Sequence, residues 1–299
     1  MNRDIATDLL DSRDDVGAWG TYRDRPTNVE ATSFAIMGLA AAAAAPEVVR
    51  SALDTLSGLQ HSDGSWPMIE GGEPSPPATA VATIALSGFG GHRPQISRAA
   101  AWLVEQSGVG ASLYWRFLHT FLPHRLAVES DPNLKGWPWT VGTWNWVEPT
   151  AYTTLALKRA MWAGAAPAGT AARVEQAEQM LYDRMCRGGG WNFGNKNVLG
   201  EDLPPYPDTT AITLVALQDR RRQPGVVQSL RAFDRIHDGH DSGLVTSLVA
   251  ICNSLFGRDG SAARAQLAEG YRSTGFLGDN KVRGLALLAT GDYRRWLAL

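Results

Sequence analysis

Four stretches of the chain fall into register when aligned on their last leucine: EATSFAIMGL (30–39), PATAVATIAL (77–86), EPTAYTTLAL (148–157) and DTTAITLVAL (208–217). Thr32, Thr79, Thr150 and Thr210 share one column; Glu30, Glu148 and Asp208 share another, with Pro77 replacing the acid in the second copy. A weaker fifth copy, DSGLVTSLVA, puts Asp241 in the acidic column. These runs are apolar on almost every side, so as helices they need neighbours all round. An acid or a proline suits the first turn of such a helix. The free N–H groups and the helix dipole favour negative charge there, and proline loses no needed donor.

Between the apolar runs lie amphipathic ones. Val48, Ala52, Leu56 and Leu59 mark one side of a segment whose Glu47, Arg50 and Asp54 lie largely off it. Similar patterns occupy 95–107, 170–186, 224–236 and 260–270, a shorter one lies near 3–12, and a last inner run begins near Asn280. An amphipathic helix can face water while an apolar one cannot. Alternation therefore predicts an all-α ring, an α/α toroid of about six helical hairpins with apolar helices inside and amphipathic ones outside. The threonine column advances unevenly, by 47, 71 and 60 residues. Most of the extra length falls at 108–147, read as an insertion over one mouth, with an additional helix in ASLYWRFLHTFLPHRL (111–126). No Gly/Ser linker divides the chain, so 1–299 reads as a single domain.

Charged residues make up 19% of the chain and the formal net charge is -2, which argues against an extensive polyanion-binding surface and hence against a nucleic-acid partner. Two cysteines, Cys186 and Cys252, are too few for a disulfide framework, so a reducing, cytoplasmic setting is expected. The acidic start lacks a signal peptide's apolar segment, and FAIMGLAAAAAA (34–45) is too short for a membrane span. Peripheral contact with a membrane stays open.

The segment QHSDGSW (60–66), followed by PPATAVATIAL (76–86), resembles the glutamine-to-tryptophan signature and inner helix of the squalene–hopene cyclase and protein-prenyltransferase beta-subunit superfamily. Partial copies stand at GAWG (17–20), KGWPW (135–139), GGGW (188–191) and TGF (274–276), so the resemblance covers most of the chain. It implies a toroid whose central cavity receives an isoprenoid or other hydrophobic small molecule, in a divergent terpene cyclase or prenyltransferase-like protein. The chemistry departs from the family. Where the cyclases' Asp-x-Asp-Asp motif would begin, YPDTTAI offers Asp208 followed by Thr209 and Thr210. Asp208 also matches the aspartate of the prenyltransferases' zinc-binding Asp-x-Cys, but Thr210 takes the cysteine's place. No metal site and no cofactor are expected; Mg2+ would enter only with a diphosphate ligand.

Helix starts of equivalent repeats should face one mouth, which makes Glu30, Glu148, Asp208 and Asp241 the candidate catalytic carboxylates, with Asp208 first. Each also fits a purely structural part in a helix's first turn. GWPWTVGTWNW concentrates Trp137, Trp139, Trp144 and Trp146, which with Tyr206 and Thr210 are the candidate ligand-binding residues. The tryptophans could instead pack the insertion onto the ring. Two alternatives stand beside the isoprenoid reading. One is a non-catalytic helical scaffold or interaction protein. The other is a carbohydrate-active toroid enzyme, whose tryptophans stack on sugars and whose carboxylates form an acid/base pair.

Overall fold

A computed structural model describes residues 1–109, 117, 120–122 and 130–299; the helix expected at 111–126 lies largely outside the described residues. The apolar runs become the inner helices α2 (Val29–Ala41), α4 (Pro76–Ser87), α6 (Val147–Trp162), α8 (Pro207–Ala216), α10 (Gly243–Leu255) and α12 (Asn280–Thr290). The amphipathic runs become the outer helices α1 (Asn2–Asp11), α3 (Pro46–Gly58), α5 (Arg93–Glu105), α7 (Thr170–Asp183), α9 (Pro224–His237) and α11 (Ser261–Thr274). Each inner helix packs on the inner helices before and after it, and α12 packs back on α2. The protein is an α/α toroid. A short hairpin, β1 (Asn197–Val198) with β2 (Glu201–Asp202), is the only regular sheet among the described residues. No helix among them is long and apolar enough to cross a membrane.

One hydrogen-bonded unit builds four of the hairpins. The Trp19 indole Nε1 donates to Leu9 O (2.6 Å) and the Trp19 backbone N–H donates to Thr32 Oγ1 (3.0 Å). The same pair of bonds joins Leu56, Trp66 and Thr79; Leu103, Trp137 and Thr150; and Leu181, Trp191 and Thr210. Each threonine hydroxyl also donates to a main-chain carbonyl at the helix mouth, so every polar atom of the buried unit is used. The threonine column is thus hydroxyl-to-backbone bonding in the first helical turn, as its position suggests. Each indole pins the end of an outer helix to the start of the next inner one.

This unit also explains the uneven spacing. Leucine to tryptophan is 10 residues in three units but 34 in the third, which locates the insertion between Leu103 and Trp137. Tryptophan to threonine is 13 residues in three units but 19 in the fourth, where the β1–β2 hairpin sits.

The seam that closes the ring depends on two glycines. A Cβ on Gly38 of α2 would lie 2.2 Å from Gly284 O, and one on Gly284 of α12 would lie 2.4 Å from Phe34 O. The two helices can approach this closely only without those side chains. Asn280 strengthens the seam. Its Nδ2 donates to Gly20 O (3.1 Å), and its Oδ1 accepts from Ser12 Oγ (2.9 Å).

Side chains at the second, sixth and ninth helical positions share the face turned to the ring axis. Phe34, Val81, Tyr152, Ile212, Leu248 and Leu285 form one layer, and Met37, Ile84, Val215 and Ile251 lie below it. Leu297, from the terminal turn α13 (Arg294–Leu297), reaches the same space, while Trp296 is buried with its indole donating to Ala85 O. About 10 Å³ of cavity remains among these side chains, roughly what one water needs. The expected central cavity for an isoprenoid is therefore corrected: large apolar residues from all six inner helices meet at the axis and fill it.

Candidate functional site

The layer above that core is charged. Second helical positions carry Glu30, Pro77, Glu148, Asp208, Leu244 and Lys281. Four of these repeats place their helix start in one frame because the fourth-position N–H bonds the N-cap carbonyl: Thr32 to Asn28, Thr79 to Ser75, Thr150 to Trp146, Thr210 to Tyr206. In the fifth, Thr246 N donates to Ser242 O, so Leu244 takes the mouth position. Asp241 is corrected by three residues; it lies exposed ahead of the cap and does not join the acids. The link between α9 and α10 is only 238–242, and Ser242 Oγ accepts from Val245 N within it, which sets the frame.

First-position amides at the mouth are satisfied without the acids. Val29 N donates to Met68 O (3.0 Å), Val147 N to Phe193 O (2.9 Å) and Asn280 N to Thr21 O (3.0 Å), while α4 and α8 begin with proline. Asn28, Ser75, Ser242 and Asp279 supply the side-chain caps. Glu30, Glu148 and Asp208 are left free of capping bonds and stand half-buried at the opening.

Their electrostatics differ. Glu30 Oε1 lies 2.8 Å from Lys281 Nζ. The Glu148 carboxylate makes no hydrogen bond among the described residues. Burial raises its pKa from 4.5 to about 7; Lys281 opposes the rise, and the charges of Glu30 and Asp208 reinforce it. Burial alone would depress the Lys281 ammonium, but Glu30, with Tyr152 and Glu148, reverses that and holds it above its ordinary value. Tyr152, one turn below Glu148 and fully buried, keeps its phenol protonated because burial pushes its pKa up. At neutral pH the Glu148 carboxyl group at the mouth is thus partly protonated.

Aromatic side chains border the same side. Trp146 is the N-cap residue of α6 and Tyr206 that of α8. The Tyr206 and Phe193 ring centroids are 4.8 Å apart, and a Cβ on Gly194 would meet the Trp146 ring at 3.1 Å. Trp139, Trp144, Trp146, Phe193 and Tyr206 are all at least 37% exposed, more than so many large apolar rings in one region need for packing alone. Two expected ligand-binding residues are corrected. Trp137 is fully buried as a lock, with the Arg173 guanidinium 3.6 Å over its ring, and Thr210 is buried with its hydroxyl bonded to the Trp191 main chain. The tryptophan cluster therefore splits into one structural member and three at the surface.

Lys281, Tyr152 and Phe193 were missed. Aligning the sixth repeat as KVRGLALLAT (281–290) would have placed Lys281 in the acidic column. Phe193 stands two residues beyond its locking tryptophan, like Thr21 and Met68, whose carbonyls cap neighbouring helices. Among the described residues no group of three or more His, Cys, Asp or Glu side chains could hold a metal ion.

No protein-family model matches the sequence, and no curated protein matches it. Solved structures do share the fold. An alpha-amylase from Clostridium perfringens is 11% identical, with 97% of each chain covered and a TM-score of 0.59. A glycoside hydrolase family 76 mannosidase from Bacteroides thetaiotaomicron is 9% identical over 98% of this chain and 97% of that one, with a TM-score of 0.56. Rex8A from Paenibacillus barcinonensis, complexed with 3(3)-alpha-L-arabinofuranosyl-xylotetraose, is 14% identical over 99% of this chain and 94% of that one, with a TM-score of 0.52. These similarities define the chain as a toroid of the kind found in glycoside hydrolases. They overturn the expected isoprenoid partner: the neighbours act on or hold carbohydrate, and the filled axis has no room for an apolar chain.

Proposed function

We propose that the protein is a carbohydrate-active enzyme that hydrolyses a glycosidic bond at the open, amino-terminal mouth of the ring. The observation that carries this reading is Glu148, partly protonated near neutrality between Glu30 and Asp208 and beside the exposed aromatic rim. Pairs of carboxyl groups held in different protonation states are what such hydrolysis requires. Glu148 gives its proton to the glycosidic oxygen as the bond to the anomeric carbon breaks. Water attacks that carbon, and Asp208 takes the water's proton. Glu30, held by Lys281, is a positioning residue whose charge adds to burial in keeping Glu148 protonated. Trp146, Phe193 and Tyr206 offer flat apolar faces to sugar rings. The likeness to the squalene–hopene cyclase superfamily is taken as one of repeat and ring construction, since Asp208 stands without the further carboxylates of that family's acid motif.

The test is hydrolysis of a panel of α- and β-linked gluco-, manno- and xylo-oligosaccharides, followed by chromatography. Turnover should fall on the alkaline side with a midpoint near 7 as Glu148 loses its proton, and Glu148→Gln should lower kcat by about 100-fold or more. Unchanged turnover in that variant would refute the assignment. Absence of turnover across the panel would favour the scaffold reading, in which the Lys281–Glu30 pair serves only to neutralise the mouth.

A further inference from the structure

The fifth hairpin departs from the first four at two positions in register. Its short link carries no tryptophan, so no backbone N–H reaches Thr246, the counterpart of the locked threonines. At the eleventh helical position, where the first four repeats place the buried Leu39, Leu86, Leu157 and Leu217, it has Asn253. Where the four locked hairpins bury an indole between an outer helix and the following inner helix, this one has a cavity of about 140 Å³ between α9, α10 and α11. Thr246 Oγ1, Asn253 Oδ1 and His237 Nε2 border it, all buried and without a hydrogen-bond partner among the described residues. Thr246 is 2% exposed and Asn253 7%. His237 Nε2 is 3.6 Å from Asp234 Oδ1, beyond hydrogen-bond reach.

Burying three polar atoms without partners is costly, and changing leucine to asparagine in an apolar slot adds to that cost unless something bonds to it. We infer that this slot binds a small, flat nitrogen heterocycle bearing N–H donors, a free nucleobase in type. Flatness follows from the indole buried at the helix junction in the four locked hairpins. Val249 and Ala263 give the slot apolar walls. Asn253 Oδ1 can only accept, and the threonines at the Thr246 position of the four locked repeats each accept an N–H, so a ligand that donates at both points matches the slot. Asp259 lines the cavity and no lysine or arginine does, which disfavours an anion and so selects the base over its phosphorylated forms. The proposal is independent of the sugar reading of the mouth.

Adenine, indole and glucose, each titrated into the full-length protein and followed by ligand-observed NMR and thermal unfolding, test it. Adenine should bind one per chain, more tightly than indole, and raise the unfolding midpoint by mass action. Asn253→Leu, which restores the residue of the other repeats, should weaken adenine at least about tenfold while unfolding no earlier than the parent. Thr246→Val provides the same reading should that variant not fold. No adenine binding, binding indifferent to both substitutions, or glucose displacing adenine from the slot would overturn the inference.

Discussion

The four hairpins locked by tryptophan and the two that follow them are built from the same helices yet held by different forces. In the locked four, a long loop brings an indole between helices, and the tryptophan's indole and backbone N–H groups tie the outer helix before the loop to the inner helix after it. The fifth and sixth inner helices follow short links, 238–242 and 275–279, with no room for that loop. The sixth is instead secured by backbone approach at Gly38 and Gly284 and by the Asn280 bonds. Mouth chemistry divides along the same line. Helices after locked loops present Glu30, Pro77, Glu148 and Asp208; helices after short links present Leu244 and Lys281. A single loop type thus governs both how the ring is fastened and which charges reach its opening.

The largest effect is expected from removing a lock. Trp66→Ala opens a fully buried site and strands Leu56 O, while the backbone N–H at 66 still reaches Thr79 Oγ1, so it should lower unfolding free energy by about 3–5 kcal/mol in urea titration. A loss below about 1 kcal/mol would break the distinction between locked and unlocked hairpins. Next comes the charge side. Glu148 has a pKa raised from 4.5 to about 7, so its protonated form favours the fold. That contribution is fully present below 4.5 and is lost as pH rises through about 7. Glu148→Gln should therefore match the parent's stability near pH 4 and exceed it at pH 8 by at most about 3 kcal/mol.

Gly284→Ala probes the seam that replaces a lock in the sixth hairpin. Its methyl group would overlap Phe34 O, and a loss of about 1–3 kcal/mol is expected from overpacking. The finest comparison is between two threonines in one column. Thr79→Val strands the Trp66 N–H and should cost about 1–2 kcal/mol. Thr246→Val removes a hydroxyl that has no partner and should be neutral within about 0.5 kcal/mol or slightly stabilising. Equal losses at the two positions would mean the lock bond contributes nothing.

Much of the ring was legible because burial writes itself into composition. Segments such as PATAVATIAL admit no polar face, and the alternation with amphipathic segments leaves few arrangements besides a closed ring. The acids at Glu30, Glu148 and Asp208 were legible as a column for the same reason. Asp241 was misread because apolar alignment in the fifth repeat tolerates a shift of three residues, and only the Thr246–Ser242 bond fixes its frame. Trp137 was grouped with its neighbours by nearness in sequence, although two residues along a loop suffice to turn one indole into the core and Trp139 to the surface.

From the chain alone, local pattern determined the helices, their sorting into inner and outer, and the acidic column, since each depends on residues a few positions apart. Whether the axis is open or filled, which carboxyl group keeps its proton, and what neutralises the rest depended on the tertiary structure. Those properties arise where α2, α6, α8 and α12 converge, bringing Glu30, Glu148, Asp208 and Lys281 together from positions up to 251 residues apart (281 − 30), and no local pattern encodes a charge's distant neighbours.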